Sequence, residues 1–127
     1  MKTYQIHFIR HGSTSANLNG QYIGSTDVPL SETGIEDIKN LKLKLNYPNV
    51  GKVYTSPLTR CTQTAGLIYD CMESTVIPGL AECNFGEWEG KSAEDLKNNE
   101  NFLLWLNGHD DALPENGESL KNFKERI

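Results

Sequence analysis

Apolar and polar positions along this 127-residue chain follow two periodicities. A short apolar run over residues 4–9 predicts a buried strand that ends at His11. Two further short strands are predicted over residues 53–55 and 75–77. Between and after these strands, apolar residues recur at the spacing of an α-helix. The alternation predicts an α/β fold, a three-layer sandwich whose mostly parallel sheet is flanked by helices.

Four segments carry apolar residues on one helical face, and each starts with a residue that can cap a helix N-terminus. The predicted starts are Ser31, Ser56 followed by Pro57, Ser92 and Ser119. The apolar faces consist of Ile35, Ile38, Leu41 and Leu45, then Leu58, Ala65, Ile68 and Met72, then Leu96, Leu103 and Leu106, and finally Leu120, Phe123 and Ile127. Leu103 to Leu106 are interpreted as core residues.

Two stretches without periodicity, residues 13–30 and 80–90, predict loops long enough to carry functional residues. The final predicted helix stops at Ile127 with fewer than about three turns built and without a C-cap. Either this helix frays on the core, or the polypeptide has been cut short, and the helix alone does not decide between the two.

The charge balance restricts the classes of partner. The chain has 12 basic and 17 acidic residues and a net charge of −5, which argues against nucleic acid. No apolar run approaches the roughly 20 residues that cross a membrane. Cys61, Cys71 and Cys83 lack the spacing of metal ligands and predict reduced thiols in a cytoplasmic protein.

Arg10, His11 and Gly12 form the first candidate site, because ligands of open α/β sheets bind at the carboxyl ends of strands. A neutral imidazole can attack a phosphoryl group, and an adjacent guanidinium can pair with the phosphate oxygens. The tripeptide alone is weak evidence, since a histidine beside an arginine is most often structural. His7 is interpreted as a packed histidine of the predicted strand, where its spacing of four residues from His11 does not form a metal site. His109 is interpreted as an exposed histidine in a polar turn.

Several segments, in order, resemble the histidine phosphatase family of phosphoglycerate mutases and broad phosphatases. They are residues 10–17 (RHGSTSAN), 24–34 (GSTDVPLSETG), 54–65 (YTSPLTRCTQTA), 80–90 (LAECNFGEWEG) and 117–119 (GES) followed by Arg126. Their order and approximate spacing make the resemblance specific, and it spans nearly the whole chain.

The resemblance implies that His11 is the nucleophile and Glu82 the general acid that protonates the leaving alcohol. It implies that the phosphate is bound by Arg10, Asn17, Arg60, Gly24 and Ser25. Arg60 would lie in the first turn of a helix, whose free N–H groups also favour an anion. No cofactor and no metal are implied, because arginines supply the electrostatic stabilisation. Glu87 and Glu89 are assigned to the scaffold of their loop.

Two features depart from the family pattern. The family's second histidine, in a Val-x-His-Gly segment that ends a later strand, has no counterpart here. That strand would lie beside residues 4–9, so its absence predicts a gap in the sheet. We therefore expect residues 1–127 to be a single, truncated histidine phosphatase domain, incomplete at the C-terminus. Gln21 stands where the family often has arginine, which removes one phosphate contact.

Three functions remain open at this stage. One is a metal-independent phosphomonoester hydrolase with a phosphohistidine intermediate, of the α-ribazole phosphatase type. Another is a phosphoglycerate mutase, although only residues 91–116 lie where mutases carry a longer insertion. A third is a non-catalytic phosphate-binding fragment. The expected partner is a small phosphorylated metabolite, not nucleic acid or membrane, and an open sheet would invite pairing between copies.

Overall fold

A small parallel sheet with a helical crossover forms the centre of the chain. The computed structural model describes all residues 1–127. Strand β1 (Val53–Thr55) pairs in parallel with β2 (Ser74–Val76), with Tyr54 opposite Thr75. Helix α3 (Thr59–Ile68) connects them and packs against both, as parallel strands require. The predicted α/β fold with a parallel sheet flanked by helices is confirmed.

Helix α2 (Glu32–Lys44) forms where its pattern predicts and packs on α3. The hydroxyl of Ser31 accepts a hydrogen bond from the amide of Gly34 at 3.0 Å, which satisfies one of the free N–H groups of the first turn. Its inward face buries Ile38, which clusters with Leu30 and with Ile68 of α3. The apolar side chains toward its C-terminal end stay partly exposed, so the buried face is narrower than the sequence suggests.

The start of α3 differs from the prediction. Ser56 and Pro57 precede the helix, which begins at Thr59 with Leu58 in the N-cap position and no capping side chain of its own. The carboxylate of Asp27 takes that role, because it accepts hydrogen bonds from the amide and the hydroxyl of Thr59, both at 2.7 Å. A distant residue therefore provides the contact that the local motif predicted for Ser56.

Residues 4–9 do not form the predicted buried strand. They form no helix or strand, and Ile6 and Phe8 are 74% and 94% exposed. The sheet consists of β1 and β2, so this segment has no neighbouring strand with which to exchange hydrogen bonds. The prediction of a packed His7 is wrong for the same reason, since the residue is exposed.

The second half of the chain contains short helices. The loop after Gly12 contains α1 (Ser15–Leu18), which no pattern in the sequence predicted. The single helix predicted from Ser92 is two helices, α4 (Ala93–Leu96) and α5 (Glu100–Leu106), because Asn99 caps a second start by accepting from the amide of Phe102 at 2.9 Å. Helix α6 (Leu120–Arg126) begins after Ser119 as predicted.

An aromatic cluster forms the core under the loop of residues 80–90. Its buried members are Cys83, Phe85, Trp88, Leu96 and Phe102, with Tyr22, Trp105 and Phe123 packed against them. Helix α5 contributes Phe102, whereas the neighbouring leucines 103, 104 and 106 face solvent, so their predicted core placement is wrong. The buried rings attach the loop firmly to the α4–α5 unit. No helix of the structure combines the length and apolar character needed to span a bilayer.

Candidate active site

A cleft of about 90 Å³ lies where the segment after residue 10, the start of α3 and the loop of residues 80–90 meet. Three of the predicted functional residues line it together: His11, Arg60 and Glu82. Its remaining wall consists of Ser56, Leu58, Cys61, Leu80, Ala81 and Phe123. The structure thus brings together the predicted nucleophile, one predicted phosphate-binding arginine and the predicted general acid, although they are far apart in sequence.

The imidazole of His11 is held in one tautomer. Its Nδ1 atom lies 2.7 Å from the carbonyl oxygen of Gly12, and a carbonyl can only accept, so Nδ1 carries the proton. The Nε2 atom then keeps its lone pair. Burial lowers the pKa of His11, and the charges of Arg60 and Arg10 lower it further. The ring is therefore favoured in the neutral form that a nucleophile needs.

The backbone around His11 is fixed from both sides. The amide of Gly12 donates to the hydroxyl of Thr64 at 3.1 Å, and that hydroxyl donates to the carbonyl oxygen of Arg60 at 2.7 Å. A side chain at Gly12 would overlap with Ile38 of α2, because an added Cβ would lie 2.6 Å from its Cδ1 atom. Glycine at this position allows the segment to lie against α2 and α3 at once.

The guanidinium of Arg60 is buried, with the residue 2% exposed. It donates from Nη2 to the carbonyl oxygen of Gly24 at 2.7 Å and from Nη1 to that of Thr26 at 3.1 Å. These two neutral acceptors orient the group without cancelling its charge. The charge is therefore available to an anion in the cleft, in the first turn of a helix whose dipole acts in the same direction.

Gly24 and Ser25 do not present free amides to the cleft. Both amides donate to the carboxylate of Glu89 at 2.9 Å, and the amide of Phe85 donates to it at 3.1 Å. The assignment of Glu89 to the scaffold is confirmed by these contacts. The structure places Gly24 as a support for Arg60, through its carbonyl oxygen, and Ser25 beside it on the exposed surface.

Arg10 and Asn17 lie outside the cleft lining. Arg10 is exposed and makes no hydrogen bond, but its charge still acts on the ring of His11. The Oδ1 atom of Asn17 accepts from the amide and the hydroxyl of Thr14, both at 3.0 Å, in a capping box at the start of α1. Gln21, the departure from the family pattern, donates to the carbonyl oxygen of Gly90 at 2.8 Å.

Glu82 is exposed, and its Oε1 atom accepts a hydrogen bond from the amide of Cys83 at 2.9 Å. Two thiols are close to it in sequence or space. Burial raises the pKa of Cys61 in the cleft wall and that of Cys83 to about 12. Both sulfurs therefore stay protonated at neutral pH, which makes them poor nucleophiles. The exposed position predicted for His109 is confirmed.

Helix α6 adds two residues to the site that the sequence patterns did not predict there. Phe123 lines the cleft, although its spacing with Leu120 indicated only a core-facing stripe. Arg126 donates hydrogen bonds to the backbone of residues 79–82, next to the predicted general acid. The sequence offered one signal for Arg126, the GES segment that precedes it. That segment does not indicate that Arg126 binds the backbone of residues 79–82.

The chain is similar to known proteins over most of its length. The pattern of the Histidine phosphatase superfamily (branch 1) matches residues 6–127. The adenosylcobalamin/alpha-ribazole phosphatase of Escherichia coli (strain K12) is 37% identical over 127 residues, covering 97% of this chain and 63% of that protein. A 2,3-bisphosphoglycerate-dependent phosphoglycerate mutase of Bifidobacterium longum (strain DJO10A) is 32% identical over 125 residues, covering 89% of this chain and 50% of that protein.

The fold of this chain is also similar to solved structures. The crystal structure of the alpha-ribazole phosphatase from Shigella flexneri superposes with a TM-score of 0.79 at 38% identity, covering 93% of this chain and 60% of that one. The crystal structure of TTHB049 from Thermus thermophilus superposes with a TM-score of 0.78 at 34% identity, covering 92% and 64%. The chain thus spans less than two thirds of the length of these relatives.

Proposed function

The chain belongs to the histidine phosphatase superfamily, branch 1, and we propose that it is a phosphomonoester hydrolase that acts through a phosphohistidine on His11. The observation that supports this most is the shared cleft of His11, Arg60 and Glu82. It combines a neutral imidazole with a free Nε2 lone pair, a buried cation and a carboxyl group. These are the groups that in-line displacement at a phosphomonoester needs.

In the first step, Nε2 of His11 forms a bond to phosphorus while the bond from phosphorus to the ester oxygen breaks. The leaving oxygen takes its proton from the carboxyl group of Glu82. The guanidinium groups of Arg60 and Arg10 stabilise the negative charge on the transferring phosphoryl oxygens. Asn17 keeps the hydrogens of its Nδ2 atom available as a further donor.

In the second step, water attacks the phosphohistidine. The carboxylate of Glu82 accepts a proton from that water, the bond from phosphorus to Nε2 breaks, and inorganic phosphate leaves with His11 restored. Arginines carry the charge stabilisation in both steps, so the proposal requires no metal ion and no cofactor.

The proposed substrate is a small phosphorylated metabolite of the kind named in the most similar relatives. Several of these are adenosylcobalamin/alpha-ribazole phosphatases at 32–37% identity. We propose that this chain is a phosphatase of the same type. A cytoplasmic location fits the three unpaired cysteines, one of which is exposed.

A phosphoglycerate mutase activity is the second candidate, and the similarity to the Bifidobacterium mutase favours it. A mutase returns the phosphoryl group from histidine to another hydroxyl group instead of water. The short segment 91–116, which follows the motif of residues 80–90, favours the hydrolase, because mutases of this family carry a longer insertion there.

Turnover of p-nitrophenyl phosphate and of alpha-ribazole 5'-phosphate, with and without chelator, tests the proposal. We expect release of inorganic phosphate that is unaffected by chelator, absent in His11→Ala and retained in the exposed control His109→Ala. Loss of activity in chelator, or full activity in His11→Ala, would contradict it. Phosphoryl exchange between labelled phosphoglycerates would support the mutase, and vanadate binding without any turnover would support a non-catalytic phosphate-binding protein.

A further inference from the structure

Arg126, in the last turn of α6, holds the backbone that carries Glu82. Its Nη1 atom donates to the carbonyl oxygens of Gly79 and Ala81, both at 2.8 Å. Its Nη2 atom donates to the carbonyl oxygen of Glu82 itself at 3.1 Å. One guanidinium thus binds three acceptors along the segment that leads into the cleft.

The same guanidinium forms a two-point ion pair with Glu118. Its Nε atom lies 2.7 Å from Oε1 of Glu118, and its Nη2 atom lies 2.9 Å from Oε2. The pair raises the pKa of Arg126 and lowers that of Glu118, so both groups stay charged across the neutral range. Planar, two-point pairing fixes the orientation of the guanidinium.

Glu118 extends the contact to the far side of Glu82. Its Oε2 atom accepts from the amide of Asn84 at 3.2 Å, and its own amide donates to the carbonyl oxygen of Asn84 at 2.8 Å. The Arg126–Glu118 pair therefore holds the backbone on both sides of Glu82. Phe123, one turn before Arg126, lies under the guanidinium at 5.0 Å and also lines the cleft.

The side chain of Glu82 makes few contacts that hold it in place. Its side chain is exposed, and the hydrogen bond it accepts comes from the backbone of the next residue, Cys83. The direction of its carboxyl group thus follows the backbone of residues 79–84. That backbone belongs to an irregular loop and a single 3₁₀ turn, Pro78–Leu80, neither of which fixes a side chain as a long helix would.

We propose that Arg126 is a positioning residue, which acts through the backbone of residues 79–82 to aim the carboxyl group of Glu82 at the leaving oxygen. The inference rests on the proposed hydrolase and adds to it a residue outside the reacting groups. Arg126 itself touches neither the phosphoryl group nor the leaving alcohol. Its loss should therefore weaken proton donation and leave phosphoryl binding intact.

Leaving-group dependence separates this role from a general loss of structure. An alkyl phosphate such as β-glycerophosphate needs a proton on its leaving oxygen, whereas the nitrophenyl ester releases the stable p-nitrophenolate anion without one. Removal of the general acid in Glu82→Gln should lower the single-turnover rate of alcohol release from the alkyl ester about 10²–10⁴-fold and affect nitrophenol release far less, because a single turnover excludes the later attack of water. A misdirected Glu82 should also slow the alkyl ester selectively, but by a smaller factor.

The experiment compares Arg126→Lys and Arg126→Gln with the wild-type chain on both esters. Lysine keeps the charge but cannot bind three carbonyl groups and a carboxylate in one plane. We expect the single-turnover rate of alcohol release from the alkyl ester to fall about tenfold or more, with KM and the single-turnover rate of the nitrophenyl ester nearly unchanged. The control Lys124→Gln, on the same helix and paired with Asp110, should leave both rates at the wild-type level. An equal loss on both esters, or no loss, would overturn the inference.

Amide hydrogen exchange across residues 79–84 provides a readout that does not depend on turnover. Faster exchange in Arg126→Lys than in Lys124→Gln is expected, because the carbonyl groups of this segment lose their donor. If the wild-type chain hydrolyses neither ester, the proposed function fails, and exchange alone decides the positioning role. Unchanged exchange in that segment would then overturn it.

Discussion

The Nδ1 atom of His11 donates a hydrogen bond to the carbonyl oxygen of Gly12 across 2.7 Å. This contact between neighbouring residues leaves Nε2 unprotonated and available to attack. The amide of Gly12 is itself bonded to Thr64 of α3, so the acceptor cannot move freely. The orientation of the proposed nucleophile thus depends on the packing of α3 and not on the motif of residues 10–12 alone.

The pKa of His11 should lie below its ordinary value of 6.5, because burial and the charges of Arg60 and Arg10 disfavour the imidazolium. An NMR titration of the imidazole, assigned by comparison with His11→Gln, measures it directly. The acidic limb of kcat/KM should follow the same lowered value. A titration midpoint at or above that of histidine in an unstructured peptide would contradict the electrostatic description of the site.

The same shift has a consequence for stability. Between the lowered folded-state pKa and 6.5, the unfolded chain binds more protons at residue 11 than the folded chain does. The contribution of His11 is therefore complete above pH 6.5 and is lost as pH falls through that range. Denaturation of the wild-type chain and of His11→Gln by urea at several pH values should show a steeper acid-side decline in the wild type.

Glu89→Gln should destabilise the loop that supports Arg60. Three backbone amides, from Gly24, Ser25 and Phe85, use both oxygens of the carboxylate. A glutamine has only one acceptor oxygen, so its NH₂ group must face at least one of these donors. We expect a loss of about 1–3 kcal/mol in the free energy of unfolding, measured by urea denaturation.

Glu87→Gln is the matched control, since Glu87 lies in the same loop. Its carboxylate accepts from the amide group of Asn116 at 3.4 Å, near the surface. The change should stay within about 0.5 kcal/mol, as for most surface substitutions. Equal effects of the two substitutions would show that the contacts of Glu89 do not hold the loop.

Gly24→Ala should be destabilising because the loop has no room for a side chain. An added Cβ would lie 1.7 Å from the carbonyl oxygen of Cys83 and 2.9 Å from the ring of Phe85. The backbone must shift, which should cost about 1–3 kcal/mol and move the carbonyl group that binds Arg60. Activity should fall together with the melting temperature.

Gly66→Ala, in α3, tests a glycine that has room for a side chain. Nothing lies within 4 Å of the Cβ it would carry, and the residue is exposed. The substitution should raise stability by about 0.4–1 kcal/mol, because alanine lowers the entropy of the unfolded chain. A stabilising Gly24→Ala would contradict the packing of residue 24 against residue 83.

The sequence predicted correctly the elements that depend on neighbouring residues, such as a helix with its own capping residue. Ser31 caps α2 as predicted, and both short strands form within one residue of their predicted positions. The start of α3 could not be predicted in this way, because its cap comes from Asp27, far away in the sequence. The segment 4–9 has the composition of a strand, but pairing requires a neighbouring strand, and composition carries no information about one.

The sequence motifs predicted the reacting groups of the site, but not the side chains that hold those groups in place. The prediction that named His11, Arg60 and Glu82 is matched by a single cleft that all three line. The contacts that hold these residues, from Glu89 and Arg126, connect distant segments through backbone amides and carbonyl groups. Backbone groups are the same in every residue, so the sequence does not show which side chain binds them.

Trapping the phosphoryl group on the protein shows whether His11 carries it during turnover. A labelled phosphomonoester is mixed with the full chain, the reaction is stopped within milliseconds in alkali, and the peptides are analysed by mass spectrometry. We predict an acid-labile, alkali-stable phosphoryl group on the peptide that contains His11, formed in the wild-type chain and absent in His11→Gln. Substrate turnover with no phosphoryl group on residue 11, or with label on another residue, would contradict the account.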